Sequence, residues 1–408
     1  MSATARRPTV VGQLRTSRRF AVLMLIFLPA AATLGAKERA RLDYVTEAFG
    51  DASGIGTVAV VMAVSLAVGG VVAGMLADRM RPQLLLFAGI CTTALVNLAT
   101  GLALLDGPLS IFRVVVSVAV EWVSAGVMIP SLLKVQATLV PQGARGSAEI
   151  VNVLRLGIGG IIGILLASYS PSSAATVLAC AGVMACVGIG QLVLTRGLPA
   201  PARSVTAGHP SMSLWSVLLT NGSLRRVVIA DLVLTFAIPT QLSNSVLVEE
   251  GDGVLVLPVL LNGVIGVLVG RLTLLYTGSL GDVRRALLIS FSLYTVVAVV
   301  AVPAALSGLL LERAELASIG IFLGSSLSAF ALGMLSALVQ QLVPDDVRGA
   351  LSGFMAAARS LLVAGSAALL AVVIVPLSSE AALITVALLA VVALGIVRGF
   401  RGITADPR

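Results

Sequence analysis

Six charged side chains stand inside stretches that are otherwise apolar: Arg113, Glu121, Arg155, Asp231, Arg271 and Arg359. A charge in hydrocarbon is costly, so each should face a partner or a water-filled cavity, and such residues mark pathways for ions or substrates. Glu121 lies deepest, about 18 Å into its stretch at ~1.5 Å per helical residue. A carboxylate there can hold a proton while desolvated and release it when water enters, or it can bind a cationic group. Arg113 precedes it by two helical turns plus about 80°, so it either borders the same cavity or snorkels to the interface. Asp231 and Arg271 lie at similar depths in neighbouring stretches and read as a structural ion pair. Arg155 and Arg359 follow Arg145 and Arg348 at nearly the same spacing. Such a duplicated pair can clamp an anion, close a gate or form local salt bridges. With four arginines against two acids, this set favours a substrate bearing a carboxylate or other anionic group.

Other chemistry has little to build on. The single histidine, His209, sits in a Pro/Ser-rich segment, and Cys91, Cys180 and Cys186 have no metal or disulfide spacing. No Gly-Lys-Ser/Thr phosphate loop occurs. We expect no enzyme, no cofactor and no metal, with a proton gradient as the energy source.

The elements that carry these charges follow from composition. Of 408 residues 58% are hydrophobic and only 11% charged, with a mean hydropathy of +1.06. A chain this poor in charge cannot cover itself in water; a lipid bilayer is the solvent it fits. The net charge of +8 forms no single basic face, which argues against nucleic acid. Apolar stretches long enough to cross a bilayer fall near 20–36, 57–77, 83–105, 108–131, 148–169 and 172–195. After a polar segment, others fall near 225–247, 253–277, 286–309, 315–338, 350–376 and 380–399. That pattern predicts twelve transmembrane helices in an all-α protein. It also predicts an N-terminal six-helix bundle over 1–195, a linker over 196–224 and a C-terminal bundle over 225–408. The first apolar run reads as a retained helix rather than a cleaved leader. Of 27 Lys and Arg residues, those outside the spans crowd one side, leaving Lys37, Arg39, Arg41 and Arg313 on the other. Both termini are therefore expected in the cytoplasm.

The chain also repeats itself. GMLADRMR at 74–81 and GSLGDVRR at 278–285 share Gly, Leu, Asp and Arg at matching places, and LVPQGARG at 139–146 matches LVPDDVRG at 342–349. The offsets agree to within one residue, so the two halves are copies of one unit, as in many transporters. Gly70-x-x-x-Gly74, Gly159-x-x-x-Gly163 and Gly266-x-x-x-Gly270 supply the small residues that let helices approach closely.

GMLADRMRPQLLL resembles the loop signature of the major facilitator superfamily, although Arg81, Pro82 and Gln83 depart from its later glycine and basic pair. The resemblance implies two pseudo-symmetric six-helix bundles, the major facilitator fold. It makes Gly74, Asp78 and Arg79 the gating-loop residues, with Asp282 and Arg285 as their counterparts, unless Asp78 and Arg79 merely anchor a tight turn. It also implies that span four lines the central cavity and that spans two, five and eight, which carry the glycine pairs, line the interface between halves, the pairs themselves serving either that interface or ordinary packing in lipid. Ile129 to Ala167, with VLRLGIGGIIG in its fifth span, looks like the branch of macrolide-efflux and enterobactin-export proteins. The function expected is proton-coupled export of a small amphipathic organic molecule by a monomer in the bacterial inner membrane, with uptake of a small solute as the alternative. A non-transporting sensor or scaffold fits less well, because the longest internal loop is the linker. Tag-accessibility mapping should place 74–81 and 278–285 on the same side of the bilayer; opposite sides would refute the repeat.

Overall fold

The computed structural model describes residues 17–50, 53–77, 79–141, 145–198, 214–237, 335–336, 338–340, 342–369 and 392. Asp78, His209, Arg271, Asp282, Arg285, Gly266, Gly270 and the spans near 253–277, 286–309 and 380–399 lie outside them. The described residues are helical, without strands. In chain order the helices are α1 (Arg18–Phe49), α2 (Ser53–Ala77), α3 (Pro82–Leu105), α4 (Ile111–Leu139), α5 (Arg145–Ser168) and α6 (Ser173–Thr195). They continue with α7 (Leu214–Thr220), α8 (Gly222–Ala237) and α9 (Arg348–Leu369), the last preceded by a single 3-10 turn at Asp345–Val347.

Local chemistry sets the helix ends. The hydroxyls of Ser110 and Ser172 accept from the backbone N–H groups of Arg113 and Ala175 at the starts of α4 and α6. Pro82 opens α3, where its missing N–H costs nothing. Gly50 ends α1 in the left-handed conformation, φ 76°. Five helices, α1 to α4 and α6, are long and apolar enough to cross a membrane. Leu25, Leu95, Phe112, Ile189 and Val193 point outward and are exposed. In water that belt would be a liability; against lipid tails it is the expected surface.

Two apolar layers hold α1, α3, α4 and α6 together. One contains Phe20, Leu23, Met24 and Phe27 of α1 with Leu86, Ile90, Val135 and Met184. The other contains Ala40, Tyr44 and Val45 of α1 with Val58, Val114, Val118 and Val177. Between them α1 does not end near residue 36, as its apolar run suggested, but continues to Phe49. Lys37 and Arg41, expected in an outer loop, are each only 3% exposed.

Small residues form the seams. The carbonyl of Gly70 and the Cα of Gly74 on α2 lie where a Cβ on Gly353 of α9 would stand, the latter 2.8 Å from it. Gly69 meets the Val123 carbonyl and Gly126 meets the Leu66 carbonyl, which joins α2 to α4 in the same way. Gly159 and Gly163 pack instead on Ala31 and Ala32 of α1, within the first six helices. For that pair the ordinary-packing alternative holds, whereas Gly70 and Gly74 face α9. At one end, α7 docks on α9 through Trp215 edge-on to Phe354, centroids 5.8 Å apart.

A methyl group on Gly353 has nowhere to go, since it meets rigid backbone. Gly353→Ala should therefore hold α2 and α9 apart and lower the yield of disulfide cross-linking between cysteines placed across that seam. Gly157→Ala, with nothing within 4 Å, should cross-link like the parent.

Candidate functional site: a buried charge cluster and a closed end

Lys37, Arg41 and Tyr44 recur at i, i+4 and i+7 on α1, so one stripe of that helix is polar and faces inward. Glu121, from the middle of α4, meets it. Lys37 Nζ lies 2.5 Å from a Glu121 oxygen and donates a second hydrogen bond to Asn97 Oδ1 of α3. Arg41 reaches Glu121 at 3.0 Å and Glu38, one turn back, at 2.7 Å. Its guanidinium also lies 5.8 Å from the Trp122 ring centroid, in cation–π range. Asn97 is fully buried and Glu121 only 7% exposed. Two cations thus surround one buried carboxylate, with the half-exposed Glu38 as a second anion. Three buried donors here, Arg41 Nε, Asn97 Nδ2 and Trp122 Nε1, make no hydrogen bond. With Glu38 counted the charges balance, but three N–H groups are unused, which suits an incoming oxygen acceptor.

Asp231, fully buried on α8, accepts from Arg359 of α9, with Nε to Oδ2 at 2.7 Å, and Ser336 takes another Arg359 N–H at 2.7 Å. The structure thus joins Asp231 to Arg359; the expected pairing of Asp231 with Arg271 lies outside the described residues. Arg155, the first-half counterpart of Arg359, donates to the Phe27 carbonyl at 2.7 Å and to Asn152, and lies over the Phe27 ring. The two arginines are therefore not a matched clamp. Arg113 is exposed at the start of α4, away from Glu121, as snorkelling would have it. Arg79 is exposed in the turn after α2.

The end of the molecule that carries Arg145 is closed. Arg145, opening α5, donates to Asp345 at 2.8 Å, and Arg348 converges on the same carboxylate at 2.8 Å. These are the two equivalent arginines of the repeated LVP segments. Lys134 Nζ holds the Asp345 carbonyl at 2.6 Å. Arg348 is nearly fully buried and also binds the Gln340 and Val343 carbonyls. Burial pushes the Asp345 carboxyl up, but hydrogen bonds and charge from Arg145 and Arg348 outweigh that and hold it below its ordinary value. Sequence reasoning missed Lys37, Arg41 and Asp345, and also Glu149, a buried acid near the start of α5. The signal for the first two was present in the i, i+4, i+7 spacing.

The first 195 residues with α9 make a lipid-facing helical protein whose charges are met inside. A family model described as the Major Facilitator Superfamily matches residues 20–368, and the chain belongs to that family. No curated protein matches it. Solved structures with the same fold include the E. coli fucose:proton symporter, 14% identical with a TM-score of 0.67, covering 93% of this chain and 98% of that one. A bacterial homologue of the iron transporter ferroportin, in an outward-facing state, is 14% identical with a TM-score of 0.72, covering 94% and 99%. The proton:xylose symporter XylE is 13% identical with a TM-score of 0.67, covering 94% and 96%. The chain is thus a multi-pass membrane transporter of the major facilitator fold.

The Asp345 latch has a pH sign. Its carboxyl is depressed in the closed state, so the latch contributes fully above the ordinary carboxylate range and is lost as pH falls through the depressed value. The group is largely exposed, which limits its worth to about 0.2–1 kcal/mol. Asp345→Asn should raise the rate at which a maleimide labels Ala137→Cys, in the adjoining cavity, by about 1.5- to 5-fold, and remove the acid-side dependence. An unchanged rate would show that the latch holds nothing.

Proposed function

We propose that this protein is a proton-coupled secondary transporter that exports a small amphipathic organic molecule carrying an acidic group. The two halves rock about a central site, from a bacterial inner membrane with both termini in the cytoplasm and one chain as the working unit. The observation that carries the reading is the Lys37–Arg41–Glu121 cluster: two buried cations share one carboxylate, and three neighbouring donors are unused. A substrate acid can compete with Glu121 for the same two cations. Arg359 and Asp231, paired across α8 and α9, supply an exchangeable charge pair in the second half, and Arg113 and Arg271 are further charges assigned to the transport path. Asp78 and Arg79, with Asp282 and Arg285, are the residues assigned to gating the cytoplasmic side. Export is supported by the resemblance of residues 129–167 to macrolide-efflux and enterobactin-export proteins.

Uptake by symport is the second reading. It is supported by two solved proteins of this fold that are named as proton symporters.

Flux in proteoliposomes under an imposed pH gradient, with candidate organic acids and neutral analogues, tests the reading. Acids should move and their neutral amides should not. Glu121→Gln should abolish gradient-driven flux, and it should also destabilise the protein by about 3–5 kcal/mol, because it strands two buried cations. Undiminished, pH-sensitive flux from that variant would remove Glu121 from coupling. Inside-out vesicles separate export from uptake.

A further inference from the structure

Glu149 lies on the first turns of α5, where the first half of the chain meets α9 at the closed end. It is 9% exposed, and its Oε2 makes no hydrogen bond. That side chain lines a small cavity with Leu133, Gln136, Arg145, Gln340 and Arg348, contributed by α4, α5, the 335–340 segment and α9. The cavity therefore exists only while those elements are together. Burying an ionised carboxylate with one oxygen unmet is expensive, and taking up a proton relieves that cost.

Asn152 hydrogen-bonds Glu149, and Arg155 and Arg359 act on it by charge, but each cation around it makes its hydrogen bonds elsewhere and none reaches Oε2. On its own helix, Arg155 is spent on the Phe27 carbonyl and Asn152. Arg145 binds Asp345 and the Ala137 carbonyl, although its Nε is unpaired. From α9, Arg359 is held by Asp231, and Arg348 by Asp345 and the Gln340 and Val343 carbonyls. α4 presents the neutral Gln136, while its Lys134 turns to the Asp345 carbonyl. α1 presents apolar Phe20, Leu23 and Met24 around neighbouring Ala148, and its nearest basic residues, Arg18 and Arg19, are exposed. Glu121, by contrast, has its charge met by two cations within 3.0 Å.

We infer that Glu149 is a proton-binding site tied to gating: its carboxylate takes up one proton when the Arg145 end closes and gives it to water when that end opens. Oε2 gains the proton from solvent on closing, and the same O–H bond breaks on opening, so the two steps balance. Protonation turns the orphan acceptor into a donor that Gln136 or Gln340 can receive. The inference rests on the alternating-access reading and assigns that cycle a proton site different from Glu121.

Because the closed state holds the extra proton, acid favours closing and rising pH favours opening, by up to about tenfold in the open-to-closed ratio per pH unit for one proton. Asp345 acts with the opposite sign and at lower pH, so the two are separable. The test uses the full chain in proteoliposomes, with Cys91, Cys180 and Cys186 replaced by alanine and Ala137→Cys as reporter, labelled by an impermeant maleimide over about pH 5 to 9. Rates are divided by those of a fully exposed cysteine, to remove the pH dependence of the thiol itself. The parent's corrected rate should rise with pH. Glu149→Gln, a permanent mimic of the protonated acid, should stay slow throughout, and Glu149→Asp should keep the slope, which shows that the fold tolerates change there. A slope that survives in Glu149→Gln, or is lost in Glu121→Gln alone, overturns the inference. Failure of the transport reading looks different: no flux, and a reporter indifferent to pH and to substrate in every variant.

Discussion

The arrangement of the first six helices depends on the cost of burying Lys37 and Arg41. Each ion loses several kcal/mol of hydration on leaving water, and one carboxylate regains that only with good geometry and further hydrogen bonds. Glu121 supplies the charge, Asn97 takes a Lys37 N–H, and Glu38 takes the outer side of Arg41. Once α1 must present Lys37 and Arg41 to α4, its rotation and depth are fixed. The apolar layers on either side of the cluster follow, with Phe27 and Leu23 toward one end and Tyr44 and Val45 toward the other. Those layers keep the cluster dry, which strengthens the attraction that justifies it.

A cluster this rigid leaves movement to the contacts that hold least. The seam between α2 and α9 has glycine on both faces, so the backbones touch with few side chains interlocked. Glycine contacts in lipid rest on close packing and have no hydrophobic drive of their own, so they can part without stranding a buried charge. The latch beside them is weak for another reason. Asp345 is 64% exposed, and water competes with both arginines for it. A closed end built from backbone contact and one solvated carboxylate is held by little free energy, as a gate that must open requires.

Much of this was legible in the sequence. The apolar runs located α2, α3 and α6 nearly to the residue, because hydropathy reports what faces lipid and these helices have few interior charges. It failed at α1 for the same reason. Lys37, Glu38, Arg39 and Arg41 read as a loop to any scale that treats charge as exposed, whereas one side of that helix faces protein. Glu121 was found because it stands alone in a long apolar run, but its partners were not, since they lie eighty residues and more away and inside the supposed loop. Arg359 was noticed for its place in the repeat, yet its partner is Asp231, which has no counterpart near Arg155. The repeat fixes backbone topology, and single substitutions then decide which charges pair. Gln142 and Asp345 occupy equivalent positions in the two LVP segments, so only the second copy offers a carboxylate, and both arginines turn to it.

That asymmetry bears on where a proton can act. A strictly symmetric molecule would carry matching charges at both ends of the cycle and gain nothing from a gradient by closing either. Here the arginines at the closed end are drawn to Asp345, to Asp231 and to backbone carbonyls, and the acid between them, Glu149, is left with an oxygen that nothing meets. The same pairing that secures the gate thus isolates one carboxylate within it. Glu121 is the opposite case, a carboxylate held by two cations. A buried acid without a partner is neutral most cheaply with a proton on it, and a buried acid with two cationic partners is neutral without one. Two acids at different depths, one with an unmet oxygen and one held by two cations, give the chain separate places to sense a proton and an anionic substrate. The sites communicate because α4 carries Glu121 near its middle and lines the Glu149 cavity with Gln136, about 22 Å further along the same helix.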